Sequence, residues 1–404
     1  MNGDSVLVLD AQGQNALAVV RSLGRKGLSV TAGGDTRFLP GMLSKYAEEA
    51  YVHPDPAADE TAFVSHLESH LDERDYAAVF CVTDLSTAIL SKHKERLEAT
   101  GTEIGVEDWE TYILPNDKGR FFALASGLDV PTPETHAPES LDEIADIDAA
   151  REGTVVVKPR RTTVLDEHGE GHTNRISGDN YVGPDEDLEE RYRAIVEGNP
   201  ALREQLPLVQ EYVDGEEAVC TVGLADGNGL TAVFQHEKYR VFPPSGGVGS
   251  VRKGIREPRM RTYADWVVDA LDWVGPVHVE FVRDGEEFYL IEVNGRYWGS
   301  TALTVNSGVD IPWLHYQQLV HGETTERPEG YRTDVKQRKL FYQDVLWLKN
   351  NFDRGNYGAI VPFVASFATT REENLDPSDP LPALGIVPRT VDMLRGIREG
   401  KSVY

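Results

Sequence analysis

Short apolar runs and helical spacings take turns over the start of the chain. Ser5–Asp10 (SVLVLD) has the pattern of a buried strand and meets a turn at Gln12-Gly13-Gln14-Asn15. A helical period follows through Ala16–Leu23, and Leu28–Ala32 is the next strand, so the chain opens on a βαβ unit. Ala77–Val82 is a further strand, followed by Asp84 and a helix with a charged face at Ser91–Leu97. Strands that alternate with helices predict a parallel sheet covered on both faces. Residues 1–115 are therefore expected to form one α/β domain.

The pattern then changes. Asn116–Leu128 is expected to be a helix, stopped by Gly127 and the run Val130-Pro131-Thr132-Pro133. Pro138–Glu152 holds a second amphipathic helix, and Thr154–Lys158 is a buried strand that ends in Lys158-Pro159. Arg160–Asp179 is polar, with several glycines and no apolar period, which predicts a mobile loop. Leu206–Val213 and Glu217–Ala225 are strands, and Arg261–Val274 is a helix. Residues 116–325 are expected to form a second domain with a subdomain at about 152–213. Residues 326–404 weaken to a helix around Leu340–Lys349 and a Pro-rich tail, read as a C-terminal extension.

The stretch Gly275–Ser300 departs most from a bland reading. Two alternating runs flank Arg283-Asp284-Gly285, the pattern of a β-hairpin, yet Glu280 and Glu292 sit inside them. Side chains two apart on a strand share a face, so Glu292 and Asn294 point together and Glu280 can lie opposite. Acids in such a hairpin are costly without a cation. Two carboxylates and an amide oxygen suit Mg²⁺ or Mn²⁺ with coordination left for phosphate.

Other polar residues extend this picture. Lys158, at a strand end before a flexible loop, can reach a phosphate, although taken alone it fits a snorkelling edge lysine better. Gln210-Glu211-Tyr212-Val213 ends a strand before a hinge and can offer backbone groups to an adenine edge, with Glu217 placed for ribose hydroxyls. The alternation in FQHEKYRVF puts His236, Lys238 and Arg240 on one face, to meet an anion or to pair with acids across the sheet. Gly246-Gly247-Val248-Gly249 and Trp298-Gly299-Ser300 could bring backbone N–H groups to an anion. Arg296, past the strand end, can clamp a carboxylate or a transferring phosphoryl group. The Gln12–Asn15 turn lacks the glycine spacing of a dinucleotide loop.

Composition narrows the partners. A formal net charge of −27 argues against nucleic acid or an anionic membrane. The excess of Arg over Lys amid many acids is the pattern of a salt-adapted protein. Cys81 and Cys220 fall in predicted buried strands and read as small core residues. No run approaches the roughly eighteen apolar residues of a membrane helix, and no secretory leader is evident, so a cytoplasmic location is expected.

Taken in order, these features resemble the ATP-grasp superfamily of ADP-forming carboxylate–amine ligases, over roughly residues 1–325. The resemblance implies an ATP-grasp fold, α/β with an α+β grasp region, behind a Rossmann-like pre-grasp domain, with a lid at 152–213. It implies ATP with paired Mg²⁺ (or Mn²⁺) ions as cofactors. Lys118 in NDK and Lys158 in VVVKP resemble the two phosphate lysines, Gln210–Val213 the adenine hinge, and Glu217 the ribose residue. Lys238 resembles a phosphate-contacting base; Glu280, Glu292 and Asn294 resemble the metal ligands. Arg296 resembles the arginine of the carbamoyl-phosphate-synthase-like and D-aspartate-ligase-like branches, although Gly295 stands where a proline is common. Arg296, Lys238 and Arg240 are the catalytic candidates. The loop from Arg160-Arg161-Thr162-Thr163 to Gly171 is longer and more basic than usual, so its γ-phosphate contacts are not assigned.

The activity so implied makes an acylphosphate from a carboxylate and ATP and joins it to an amine, with small-molecule substrates. A homodimer is one option for the assembly. Two other classes compete: a non-catalytic nucleotide or ligand sensor of the same fold, and a nicotinamide-dependent oxidoreductase, which rests on the first βαβ unit alone.

Overall fold

The computed structural model describes residues 3–165, 171–174, 176, 178–199, 201–215, 217–242, 248–324 and 328–386. The first part is a five-stranded parallel sheet in the order Glu49–Val52, Ser29–Gly34, Ser5–Val8, Ala78–Phe80, Glu103–Ile104. The helix Gln14–Arg25 covers one face, and Phe63, Val64 and Leu67 of the helix Glu60–Asp72 pack on the other. This is the sheet that the opening alternation predicts.

A second, antiparallel sheet has seven strands. Its order is Glu287–Asn294, Val274–Asp284, Glu217–Asp226, Leu230–Phe242, Val248–Ile255, Lys336–Arg338, Arg371–Glu372, with only the last pair parallel. Val277, Val279, Phe281 and Leu290 pack under the helix Pro258–Ala270. On the other face Cys220, Val222 and Phe234 share a core with Val8 of the first sheet and Ala16 and Val19 of its helix Gln14–Arg25. The two parts therefore share one apolar core.

A third sheet, Tyr181–Val182, Val155–Lys158, Leu208–Glu211 and Thr135–His136, is antiparallel and stands over the seven-stranded one. The helices Glu143–Ala150 and Leu188–Gly198 support it through Ile144, Leu188 and Tyr192. An amide of Leu290 donates to Pro131 O at 2.8 Å and ties the hairpin to the chain entering this subdomain.

The structure differs from the sequence pattern at several places. The expected helix over Asn116–Leu128 runs from Lys118 to Ala125, and a separate helix, Trp109–Asn116, precedes it. Asp117 between them is extended, and its carboxylate accepts from Gly119 N and Arg120 N at 3.0 and 3.3 Å, an N-cap that starts the second helix at Lys118. The polar span after Lys158 is in part ordered: Thr163–Leu165 pairs antiparallel with Gly171–Thr173. The glycine turn proposed at Gly246 and Gly247 lies outside the described residues, and Val248 and Gly249 begin a strand.

The C-terminal segment is also more than an extension. It adds two strands to the large sheet and runs through a wide turn, Leu340–Asp344, into the helix Val345–Asp353 and then Ile360–Thr369. Arg240 anchors it. Alternation would put Arg240 beside Lys238, but the ladder slips between them, pairing Lys238 with Arg252 and Arg240 with Val251. The extra residue, Tyr239, is a bulge that re-aims the next side chain. Arg240 Nη1 contacts both Asp344 oxygens at 3.0 and 3.2 Å, and its Nη2 donates to Pro362 O at 2.8 Å. Its catalytic reading is therefore corrected to a structural one.

Both members of that pair are buried, so breaking it leaves a charge stranded. Asp344→Ala is expected to lower the unfolding free energy by about 3–5 kcal/mol, read by urea denaturation. A loss below ~1 kcal/mol, the scale of an exposed pair, would show that the anchor is wrongly identified.

Candidate active site

A cleft of about 960 Å³ opens between the third sheet and the seven-stranded sheet, with the Gln12–Asn15 turn of the first sheet on its wall. The hairpin forms its floor. Glu280 stands directly opposite Glu292, and His278 opposite Asn294. The register then slips, with Phe281 opposite Leu290, so that Ile291 is an extra residue. Strict alternation would put Leu290 and Glu292 on one face. The bulge lets Leu290 enter the core under the helix while Ile291, Glu292 and Asn294 line the cleft.

Two cations compensate the opposed carboxylates. Lys118 Nζ lies 2.9 Å from Glu292 Oε1 and donates to Thr162 Oγ1 at 3.3 Å. Its position follows from the Asp117 cap, which turns the first residue of the helix toward the hairpin. Lys238 Nζ lies 2.5 Å from Glu280 Oε1. Burial alone would raise the Glu292 carboxyl; Lys118, with help from Lys158 and Asn294, outweighs it and holds the group at about 2. Burial would lower the Lys238 ammonium, but Glu280 keeps it above its ordinary value. His278, with Glu280 Oε2 at 3.9 Å and Asn294 Nδ2 at 3.2 Å from its ring, is pushed down to about 4 by burial and is neutral near pH 7.

The opposite wall comes from the third sheet. Lys158 Nζ donates to Gln210 Oε1, whose own amide donates to Thr135 Oγ1 at 2.8 Å. Desolvation lowers the Lys158 ammonium to about 8, against the pull of Glu292 and with the push of Lys118. Glu211, Tyr212 and Val213 follow along the rim, where the Tyr212 ring meets Tyr181 edge-on with centroids 5.5 Å apart. Glu217 also lines the cleft and accepts from Arg283 Nη1 at 3.2 Å.

At the third corner Arg296 is fixed by Asp84, the first residue of the helix Asp84–Lys92 that follows the strand Ala78–Phe80. Its Nε donates to Asp84 Oδ1, and its Nη2 lies 2.9 Å from Asp84 Oδ2 and 3.4 Å from Asn294 Oδ1. His236 is buried, bonded to Ser300 Oγ at 2.8 Å, and held well below its ordinary value by burial and by Arg252. The expected triple of basic side chains therefore reduces to one ammonium, Lys238, already paired with Glu280.

The chain is similar in structure to several enzymes. The structure aligns with biotin carboxylase in its β-γ-ATP complex from Campylobacter jejuni at a TM-score of 0.64 and 15% identity, covering 82% of this chain and 74% of that one. It aligns with L-amino acid ligase from Bacillus licheniformis at 0.62 and 18%, covering 83% and 79%. The chain has the ATP-grasp fold. A third alignment, to N5-carboxyaminoimidazole synthetase from Staphylococcus aureus complexed with ADP, gives 0.60 and 14%, with 83% and 81% covered. Residues 203–340 match a family model described as "ATP-grasp in the biosynthetic pathway with Ter operon". No curated protein matches the sequence. At these identities the likeness establishes the ATP-grasp fold and leaves the chemistry to be argued from the site.

Within that fold one cleft collects Lys118, Lys158, Gln210–Val213, Glu217, Lys238, Glu280, Glu292, Asn294 and Arg296; Arg240 is the candidate that faces elsewhere. Sequence reasoning missed His278, although it stands two residues before Glu280 on the same face. It also missed Asp84 as the partner of Arg296, and Arg252, Lys339 and Gln343, which line the cleft from strands and a segment with weak patterns.

The Lys158 ammonium has a pH consequence. Its proton leaves above about 8 in the free protein, and a bound anion favours its return. With ADP as the calorimetric probe, affinity is expected to be flat below that pH and to weaken above it, by up to about tenfold per unit. Lys158→Met should flatten the slope; a profile unchanged by that substitution contradicts the assignment.

Proposed function

We propose that this chain is an ATP-dependent ligase that activates a small carboxylate as its acylphosphate and joins it to an amine, with release of ADP and phosphate. The observation that supports the reading best is the register of the hairpin. Glu280 and Glu292 are directly opposed and balanced by Lys238 and Lys118, across the cleft from the Gln210–Val213 strand end.

The donor set fits a divalent cation. Glu280, Glu292 and Asn294 offer hard oxygens on one wall, and Glu292 is ionised at any pH above about 2. These residues would hold Mg²⁺ or Mn²⁺, which neutralises charge on the phosphates when bound. The backbone of Glu211–Val213 and the carboxylate of Glu217 would receive adenosine, and Lys118 and Lys158 its phosphates. The reacting carboxylate attacks the γ-phosphorus as the bond to the β–γ bridging oxygen breaks, so ADP leaves and an acylphosphate remains. The amine then adds to the acyl carbon, loses a proton and expels phosphate. Arg296, fixed by Asp84, and Lys238 stand where charge develops on the transferring oxygens. No covalent protein intermediate is required. Closure of the third sheet over the cleft would limit hydrolysis of the acylphosphate.

The test is a screen for ADP release across carboxylate–amine pairs with Mg²⁺, with hydroxylamine present to trap an acylphosphate. Glu292→Gln is expected to abolish turnover while leaving the circular dichroism spectrum of the wild type. Turnover at the wild-type rate would overturn the metal assignment. Tight Mg·ATP binding without ADP release over the whole screen would favour a nucleotide sensor instead.

A further inference from the structure

The cleft has a second end that the nucleotide and metal residues do not use. From the hairpin the seven-stranded sheet continues through Glu217–Asp226 and the strands of Lys238 and Arg252 to that of Gln337, four ladder spacings of about 4.8 Å beyond the strand of Glu280. There Arg252 and Lys339 both line the cleft, although each is only 6% exposed. Between them lies Gly299, in the turn after the hairpin.

The geometry around Gly299 is that of an open cradle. A Cβ at this position would stand 3.4 Å from Arg252 Nη2 and 3.4 Å from Lys339 Nζ. Two cationic nitrogens thus converge on one small space that only the absence of a side chain keeps free. Arg252 spends Nη1 on Gly299 O at 3.2 Å, which fixes the guanidinium plane. Among the described residues the carboxylate paired with both is Glu373, whose oxygens lie 3.9 Å from Arg252 Nη1 and 3.8 Å from Lys339 Nζ, within ion-pair range and beyond hydrogen-bond distance. Glu373 is not among the residues that line the cleft.

Two buried cations thus share one carboxylate at ion-pair distance, and neither is hydrogen-bonded to it, in a protein whose net charge is −27. Burial pushes the Lys339 ammonium down to about 8, against Glu373 and together with Arg252. Lys118, Lys238 and Arg296 each have a carboxylate in direct hydrogen-bond contact, whereas Arg252 and Lys339 share Glu373 only at longer range, with a glycine between them.

We infer that Arg252, Lys339 and Gly299 form a subsite for a non-reacting carboxylate of a substrate, so that one of the two joined molecules is itself a dicarboxylate or an amino acid. The inference rests on the ligase reading for what is done with that molecule, but the subsite is measurable without any turnover. The planar guanidinium takes two carboxylate oxygens and the ammonium a third contact, with Gly299 leaving room for the oxygen between them. The reacting group then extends along the sheet toward Lys238 and Glu280. Whether the second carboxylate belongs to the acid or to the amine is decided by the substrates.

Succinate and acetate are the probes, titrated calorimetrically into the full chain, with Mg·ADP titrated separately. The wild type is expected to bind succinate at least tenfold more tightly than acetate. Lys339→Gln and Gly299→Ala should each weaken succinate by tenfold or more and leave Mg·ADP affinity within twofold. Glu373→Gln, which removes the competing carboxylate, should tighten succinate. Opposite signs for Lys339→Gln and Glu373→Gln separate a local charge effect from a folding defect. Equal affinity for succinate and acetate, or unchanged succinate binding in Lys339→Gln and Gly299→Ala, overturns the subsite. Absence of Mg·ADP binding with succinate binding intact would instead overturn the ligase reading and leave the subsite standing. In the ADP-release screen, activity with amino-acid amines but not simple alkylamines places the carboxylate on the amine. Activity with dicarboxylic but not monocarboxylic acids places it on the acid, and equal activity with all four classes counts against the subsite.

Discussion

Glu280 and Glu292 face each other across one rung of an antiparallel ladder, and much of the remaining structure answers that placement. At a separation of roughly 5 Å two carboxylates repel by about 3 kcal/mol in a protein-like medium, before either pays for leaving water. Lys118 and Lys238 offset this cost, and each arrives from a different part of the chain. Lys118 comes from the helix that opens the second domain, placed by the Asp117 cap. Lys238 comes from a strand two places along the same sheet. The hairpin cannot keep its acids unless these elements are docked, so the charge balance and the tertiary arrangement depend on one another.

The same logic joins the first sheet to the site. Arg296 leaves the hairpin and meets Asp84 at the start of the helix after an inner parallel strand, while apolar side chains from both parts form one core. An arginine held by a bidentate carboxylate has its direction set in advance, which is the condition for stabilising charge that appears only during a reaction. Lys158 and Gln210 on the third sheet form the remaining wall. Their sheet has its own small core around Ile144, Leu188 and Tyr192.

The C-terminal segment shows how little of a site can be visible in a sequence that nevertheless builds it. Lys339 and Gln343 reach the cleft because Lys336–Arg338 adds to the edge of the sheet and because Arg240, turned by a bulge, grips Asp344. No period in residues 326–404 announces this, since two short strands and a π-type turn have no sustained repeat. The charges there are ordinary in type. Their meaning comes from being buried next to a glycine, which only the folded chain reveals.

The amino-acid sequence by itself determined the parallel sheet at the start, the hairpin with its two acids, and the order of cations and hinge along the chain. Strict alternation and strand-helix spacing encode these locally, so they survive translation into structure. Tertiary structure alone decided the two bulges, at Ile291 and Tyr239, and with them which polar side chains share a wall. Alternation assigns Glu292 to the face of Leu290 and Arg240 to the face of Lys238, and one inserted residue reverses each assignment. Whether a strand takes such an insertion depends on its neighbours in the ladder and the core beneath, which lie far away in sequence. That dependence is why the acids of the hairpin could be read from the chain, while the partners that make them tolerable could not.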